Sequence, residues 1–202
     1  MLKDDLEIRR ARLAKRYNAA SSKTQRDKVI AESRELLEAM LPEMMRCWLG
    51  TKWDYEGITE QPGDGKIACG YYVSTVMRDA GFNLHRIKLA QQPSQTILKA
   101  FVPRDDMHIH TSMEYSRFCD KVKKLGKGIY IVGLDKHVGF IVHDGSRLHF
   151  IHSSGGAPKC VVDEPENDAA ALQNSKYRVV GNVTAQKPTI LNWLNEKRVY
   201  PK

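Results

Sequence analysis

Long apolar runs are missing from this sequence. No stretch is long enough to span the hydrocarbon core of a membrane, so no transmembrane segment is expected. The first five residues lead directly into charged positions, without the apolar segment of a secretory signal. Two locations stay open: the cytoplasm, or the periplasm or cell exterior if a signal peptide has been removed.

Closely spaced cysteines are missing as well. The four cysteines are far apart and form no C-x-x-C pair: Cys47, Cys69, Cys119 and Cys160. A structural zinc site is therefore not expected, and no metal or other cofactor is implied. A disulfide framework would be sparse in 202 residues, but one disulfide among Cys47, Cys119 and Cys160 stays open.

The sequence also lacks the signature of a nucleic-acid-binding surface. The net charge is +8, yet no Lys/Arg-rich block alternates with aromatic residues, so nucleic acid is not an expected partner. The positive charge fits simple solubility, or association with an anionic cell-wall polymer or membrane surface. With 42% hydrophobic residues, the chain can form a globular domain with a real core. Nothing indicates an oligomeric state.

The first part of the chain has helical periodicity. Residues 4–47 carry apolar positions at helical spacing, with a polar break at residues 19–24. Pro42 predicts a kink or the start of a new helix. We predict an N-terminal helical region, residues 1–47, packed on a main domain, residues 48–202. A partner-binding helical arm is the alternative.

Strand patterns dominate the second half, and together with the helices they predict an α+β fold. The strand-like segments are residues 129–134, 137–143, 147–152, 159–162 and 177–183. The acidic segment 163–175 predicts a loop or short helix, and residues 189–197 a closing helix. Further helices are predicted within 91–101 and 113–125. His108 and His110 alternate between them, and two histidines without a third ligand indicate a loop rather than a metal site.

Cys69 opens the stretch around which the rest is organised. After a Gly-Asp-Gly turn at residues 63–65, the apolar spacing over residues 72–80 predicts a helix that ends at Gly81. Cys69 would then lie at the helix N-terminus, where the helix dipole and free N–H groups favour the nucleophilic thiolate. The alternative is a small buried cysteine that only packs.

The hairpin predicted at Asp144-Gly145 brings two histidines together. If these two residues form the loop, His137 falls directly opposite His152, with both side chains on one face of the sheet. One imidazole can then act as a base while the other fixes its tautomer. A three-residue loop would break this pairing. A thiol, a base and an orienting residue in this order indicate a cysteine hydrolase.

Three segments carry motifs of a known family. They are L-G-T-K-W at residues 49–53, A-C-G-Y-Y-V at residues 68–73 with L-H-R at 84–86, and H-V-G-F-I at 137–141 with I-H-S-S at 151–154. They resemble the L-G-T-x-Y, D-C-S-G-x-V with L-P-R, H-V-G-I-Y and I-H-A-S motifs of the NlpC-type cell-wall cysteine peptidases, a branch of the papain-like fold. The resemblance covers about residues 49–183.

This resemblance implies a papain-like core, with the nucleophile helix on an antiparallel sheet, and a Cys–His–His triad. Cys69 would be the nucleophile, His137 the general base and acid, and His152 the residue that orients His137. The thiolate would attack an amide carbonyl, and water would hydrolyse the acyl-enzyme. The backbone N–H of Cys69 would help to form the oxyanion hole. The usual substrate of the family is the peptide stem of peptidoglycan, cut after γ-D-glutamate.

Two departures from the family concern substrate recognition. Ala68 stands where the family has the aspartate associated with the free amino end of the stem peptide, and Gly70 replaces the following serine. Asp64 and Asp54 are the candidates to replace that carboxylate. The aromatic segment before the helix is expected to line a cleft. The expected substrate-binding residues are Trp53, Tyr55, Asp64 and Gly70.

Two other functions stay open. A papain-like acyltransferase would keep the triad and change the acceptor. A non-catalytic module on a degenerate scaffold would bind a cell-wall or acidic ligand through the basic surface. Because Cys69, His137 and His152 keep all three triad residue types, a peptide or peptidoglycan hydrolase is the leading hypothesis.

Overall fold

A computed structural model describes residues 2–200. Met1 of the predicted region 1–47 and residues 201–202 of the predicted region 48–202 lie outside the described residues. The helices are α1 (Leu2–Ala19), α2 (Lys23–Arg46), α3 (Cys69–Asp79), α4 (Arg86–Ala90), α5 (Ser94–Lys99), α6 (Tyr115–Lys124), α7 (Ala170–Asn174) and α8 (Lys187–Leu194). The strands are β1 (His108–Thr111), β2 (Gly128–Leu134), β3 (Val138–His143), β4 (Leu148–Ser153), β5 (Val161–Pro165) and β6 (Tyr177–Asn182). The predicted α+β class is confirmed.

A six-stranded antiparallel sheet organises these elements in the order β1-β6-β2-β3-β4-β5. Two predictions about it were wrong. His108 and His110 lie in edge strand β1 rather than in a loop, because they pair with β6. Strand β5 extends through Asp163 to Pro165, within the acidic segment predicted as a loop or short helix, because it pairs with β4.

The first two helices form a hairpin that packs against α8. Helix α2 begins with a capping box, in which the Ser22 side chain accepts a hydrogen bond from the Gln25 backbone N–H and the Gln25 side chain accepts one from the Ser22 backbone N–H. The helix continues through Pro42 without a second helix starting there. Buried Leu37 and Leu41 belong to the same hydrophobic cluster as Tyr72 of α3. The N-terminal helices therefore share a core with the sheet.

Both faces of the sheet are covered. On one face α3 packs on β3 and β4, and Tyr72 meets Phe140 edge to face with ring centroids 5.9 Å apart. On the other, Ile141 and Phe150 join a smaller cluster with Phe118 of α6 and with α7. Alternate residues of β3 and β4 therefore enter two different cores, as the period of two requires.

None of the helices within residues 2–200 has the length and apolar character needed to cross a membrane. All four cysteines are free, so the disulfide that the sequence left open among Cys47, Cys119 and Cys160 is not formed.

Candidate active site

The residues directly before α3 fix the position of Cys69. The Ala68 N–H donates to the Gly57 carbonyl, and the Ile67 N–H donates to the Lys52 carbonyl, so the residues before the helix are held in extended conformation. Ser153 of β4 adds a side-chain hydrogen bond of 2.7 Å to the Ile67 carbonyl. Helix α3 then begins at Cys69, as predicted. Its first residue is therefore tied to the strand that carries His152.

Gly70 allows α3 to approach α4 closely. A Cβ at this position would collide with the carbonyl oxygen of Ala90. The glycine that replaces the serine of the resembling family is thus required by backbone packing, because any side chain would push the two helices apart. Gly70 and Ala90 both line the cavity beside Cys69, so this packing also shapes the cavity wall.

The predicted hairpin register was wrong by two residues. His143 pairs with Leu148, which leaves a four-residue loop, and the Asp144 side chain accepts hydrogen bonds from the Ser146 and Arg147 backbones. A shift of two positions keeps every side chain on its predicted face, because the side-chain period of a strand is two. His137 is therefore diagonal to His152 rather than directly opposite.

Gly139 makes the diagonal contact possible. Continuing the register places it opposite His152, and a Cβ there would lie 2.7 Å from the His152 Cβ and 2.6 Å from Phe150 Cε2. The space left by the missing side chain admits both rings. The His152 ring stacks on Phe150, with centroids 4.1 Å apart and planes inclined by 21°. His137 meets the same phenylalanine edge to face at 6.1 Å.

Three side chains form a continuous hydrogen-bonded chain. The distance from His137 Nε2 to His152 Nδ1 is 2.7 Å, and that from His152 Nε2 to Glu164 Oε2 is 3.0 Å. The His152 side chain is only 2% exposed. The two histidines come together as the sequence indicated, but Glu164 was missed. No local pattern in V-V-D-E-P at residues 161–165 marks it, because this segment is a strand through its pairing with β4.

Burial controls the charge of the thiol and the imidazole. It raises the pKa of Cys69 above the ordinary thiol value, although hydrogen bonds with the backbones of Val138, Gly70 and Cys69 itself oppose the shift. Burial also lowers the pKa of His137 to about 3, with a further contribution from His152. Both shifts favour the neutral form, of the thiol in one case and of the imidazole in the other. The expected resting thiolate at the helix N-terminus is therefore not favoured, since desolvation outweighs the local N–H groups.

A cavity of about 620 Å³ opens beside Cys69 and His137. Both Cys69 and His137 line it, and 82%-exposed Tyr55 lies at its solvent side. Of the residues predicted to bind substrate, Trp53, Tyr55 and Gly70 line the cavity, whereas Asp64 lies in an exposed turn away from its wall. The other lining residues are Glu56, Ile58, Ala68, Tyr71, Ala90, Gln91, Gln92, Lys136 and Gly155.

The carboxylates near the cavity differ in how they are held. Asp54, one candidate to replace the family aspartate, pairs with Lys66 at 2.8 Å and is not part of the cavity wall. Glu56 lies in the wall itself, two residues further along the same loop. Lys136 lines the cavity next to His137. The cavity therefore presents one carboxylate and one ammonium group among aromatic and amide side chains.

Within residues 2–200, no three histidine, cysteine, aspartate or glutamate side chains are grouped so as to hold a metal ion. The site contains a thiol, two imidazoles and the carboxylate behind them. Comparison of the chain with protein-family models, curated proteins and solved structures finds no match.

Proposed function

We propose that the protein is a cysteine hydrolase that cleaves amide bonds through Cys69, on an NlpC-like version of the papain-like fold. One observation carries the proposal: a cysteine at a helix N-terminus and a histidine backed by a second histidine line the same cavity. A nucleophile, a base and a residue that orients the base are the parts required for acyl transfer. The antiparallel sheet under α3 supports the fold assignment.

In the resting arrangement, the groups that hydrogen-bond the thiol belong to the backbone rather than to the His137 ring. His137 uses Nε2 toward His152, so Nδ1 is the nitrogen available for the thiol proton. The first step is then a turn of the Cys69 side chain toward that nitrogen. Catalytic hydrogen bonds of free enzymes commonly tighten only when substrate is bound.

The reaction proceeds in two halves. Sulfur attacks the carbonyl carbon of the substrate as His137 takes the thiol proton, and the tetrahedral oxyanion is held by the Cys69 backbone N–H. The C–N bond breaks when His137 returns the proton to the leaving amine. Water, deprotonated by the same imidazole, then attacks the thioester, and Cys69 regains its proton as the carboxylic acid product leaves.

The proposed substrate is a peptide amide, with stem peptides of peptidoglycan as the first class to examine. The aromatic wall with Trp53 and Tyr55 offers flat surfaces for an extended chain. Ala68 supplies no carboxylate for a free amino end, whereas Glu56 in the cavity wall does. We expect recognition of the amine side of the substrate to depend on Glu56 rather than on the residue before the nucleophile.

Incubation with purified peptidoglycan fragments, followed by mass analysis, tests the function and identifies the bond. Wild-type protein and a Cys47→Ala control should release the same products, because Cys47 is exposed and away from the cavity. Cys69→Ala should release none while its thermal unfolding stays near that of wild type. Cleavage by the Cys69→Ala protein would exclude the proposed nucleophile. Transfer of the acyl group to an added amine or lipid acceptor in place of water would indicate the acyltransferase. Tight binding without turnover would indicate the binding module.

A further inference from the structure

Strands β4 and β5 are joined by two histidine–carboxylate pairs, each formed between diagonal positions of the two strands. His152 Nε2 lies 3.0 Å from Glu164 Oε2, and His149 Nδ1 lies 2.8 Å from Asp163 Oδ1. The register pairs Phe150 with Glu164 and Ile151 with Asp163, so each carboxylate is diagonal to its histidine. Because successive residues point to opposite faces of the sheet, the two pairs lie on opposite faces.

The two pairs differ in burial and in what lies beyond them. The His149 side chain is 30% exposed, and Asp163 is also held by Arg46 at 2.8 Å. The His152 side chain is 2% exposed, and its second nitrogen continues to His137. The His149 pair therefore ends in a surface ion pair with α2. The His152 pair ends at the cavity beside Cys69.

Hydrogen-bond direction along the buried chain follows from the chemistry of the carboxylate. A carboxylate can only accept hydrogen bonds, so His152 Nε2 carries the hydrogen of its bond to Glu164. His152 Nδ1 is then a lone pair and must accept from His137 Nε2–H over the 2.7 Å separation. A neutral His137 protonated at Nε2 has its lone pair at Nδ1. That lone pair is what a base needs in order to take the thiol proton.

The opposite direction would disable the base. If His152 carried its hydrogen on Nδ1, it would donate to His137 Nε2, and the His137 hydrogen would move to Nδ1. The imidazole would then present N–H rather than a lone pair to the thiol. Since an imidazole alone permits both directions, the two histidines do not decide between them. The group at the far end of the hydrogen-bonded series, Glu164, does decide.

We propose that Glu164 is a positioning residue that selects the Nε2–H tautomer of both His152 and His137 and thereby makes His137 a base for Cys69. Its significance for catalysis rests on the proposed function. The tautomer itself is a property of the resting protein and can be measured without a substrate.

Nitrogen-15 NMR of histidine-labelled protein measures the tautomers directly, since protonated and unprotonated ring nitrogens have distinct shifts. Among the seven histidines, the signals of His137 and His152 can be identified with single substitutions at these two positions. Wild type should show both rings protonated at Nε2 near neutral pH. If the wild-type His137 ring carries its hydrogen on Nδ1, the proposal fails, whatever any variant does.

Glu164→Leu removes the acceptor at similar size and should shift His137 toward the Nδ1–H tautomer. Glu164→Gln keeps a carbonyl oxygen that can accept from His152, so the wild-type tautomer should be largely retained. His149→Leu is the matched control, because it removes the other histidine–carboxylate pair between the same strands. It should leave the His137 spectrum unchanged. Retention of the Nε2–H tautomer in Glu164→Leu would overturn the proposal.

Alkylation of Cys69 by iodoacetamide, followed by peptide mass analysis, supplies the reactivity readout. We expect a rate loss of about tenfold or more in Glu164→Leu at neutral pH, a smaller loss in Glu164→Gln, and none in His149→Leu. An unchanged rate in a folded Glu164→Leu protein counts against the proposal. If the tautomer shifts as expected and yet no amide substrate is cleaved by wild type, the proposed function fails and the role of Glu164 stands.

Discussion

Histidines pack against phenylalanine on the inner strand β4, here called the centre, and on the edge strand β1, here called the edge, with different results. At the centre, His152 stacks on Phe150 and both of its ring nitrogens are hydrogen-bonded. At the edge, His110 of β1 meets Phe118 at 5.6 Å, and its Nε2 is buried without a partner. Aromatic packing is common to both regions. Both ring nitrogens have partners in His152, whereas Nε2 of His110 has none.

This difference shows what turns a packed histidine into a candidate catalytic group. A neutral imidazole has one donor and one acceptor, and an arrangement that uses both fixes the tautomer. His152 has a carboxylate on one side and an imidazole on the other. At the edge, burial lowers the pKa of His110, and Lys121, His108 and Arg178 add to the shift. Its Nε2 has no partner that would fix the tautomer.

The largest expected effect comes from removing one histidine from each region. His137→Asn should lower amide hydrolysis about a thousandfold, the range expected for loss of a general base. His110→Asn should leave hydrolysis within about twofold of wild type. Turnover of a peptidoglycan fragment by the two variants, with circular dichroism to verify folding, measures this contrast. Equal losses in both would remove the functional distinction between the regions.

A second contrast tests the geometry around Phe150. Gly139→Ala places a Cβ where Phe150 and His152 already lie, so it should displace the His152 ring and cost about 1–3 kcal/mol of unfolding free energy. Hydrolysis should fall at least tenfold. Gly156→Ala is the control, because the nearest atom to its Cβ, Ser154 Oγ, is 3.7 Å away. Urea unfolding and turnover of both proteins are the measurements. A neutral Gly139→Ala would mean that the diagonal histidine contact does not need this space.

The sequence predicted the central region well because strand periodicity is robust to error. The loop after His143 is twice as long as predicted, yet His137 and His152 still share a face. Helix α3 and its first residue followed from local spacing and from Gly81, which has φ of +92°. These features depend on near neighbours in the chain, which is why sequence patterns reveal them.

Features that depend on distant partners were missed. Strand β1 is four residues long and exists because it pairs with β6, some 70 positions later. Glu164 lies in a segment whose acidic, alanine-rich composition favours a loop, and only pairing with β4 makes it a strand. The helix N-terminus predicted a thiolate at Cys69, but burial by elements far apart in sequence raises the pKa of the thiol.

Acid should destabilise the central region more than the edge. The folded state holds the pKa of His137 at about 3, whereas the unfolded chain protonates this residue near its ordinary pKa of about 6.5. Between these values the unfolded state binds the extra proton, so the unfolding free energy should fall as pH decreases from about 6.5 toward 3. The limiting slope is about 1.4 kcal/mol per pH unit for one proton.

Chemical denaturation of His137→Asn across this pH range measures the contribution. The variant should lose less stability on acidification than wild type does. His110→Asn should show a smaller change in the same sense, because burial lowers the pKa of His110 less strongly than that of His137. Identical acid profiles for wild type and His137→Asn would contradict the burial of a neutral His137.

The smallest expected effect is a change in unfolding free energy on substitution of His110 at the edge. Because His110 Nε2 is buried without a partner, the folded state bears its desolvation without a compensating hydrogen bond. His110→Leu keeps an apolar contact with Phe118 and removes the unsatisfied nitrogen, so the unfolding free energy should rise by about 0.5–1 kcal/mol.

The same exchange at His152 should instead destabilise the protein, since it leaves Glu164 and His137 without their shared partner. Opposite signs from urea denaturation of the two variants would show that hydrogen-bond partners, and not the phenylalanine, distinguish the centre from the edge. A loss of stability in His110→Leu would mean that its ring has a favourable role at the edge.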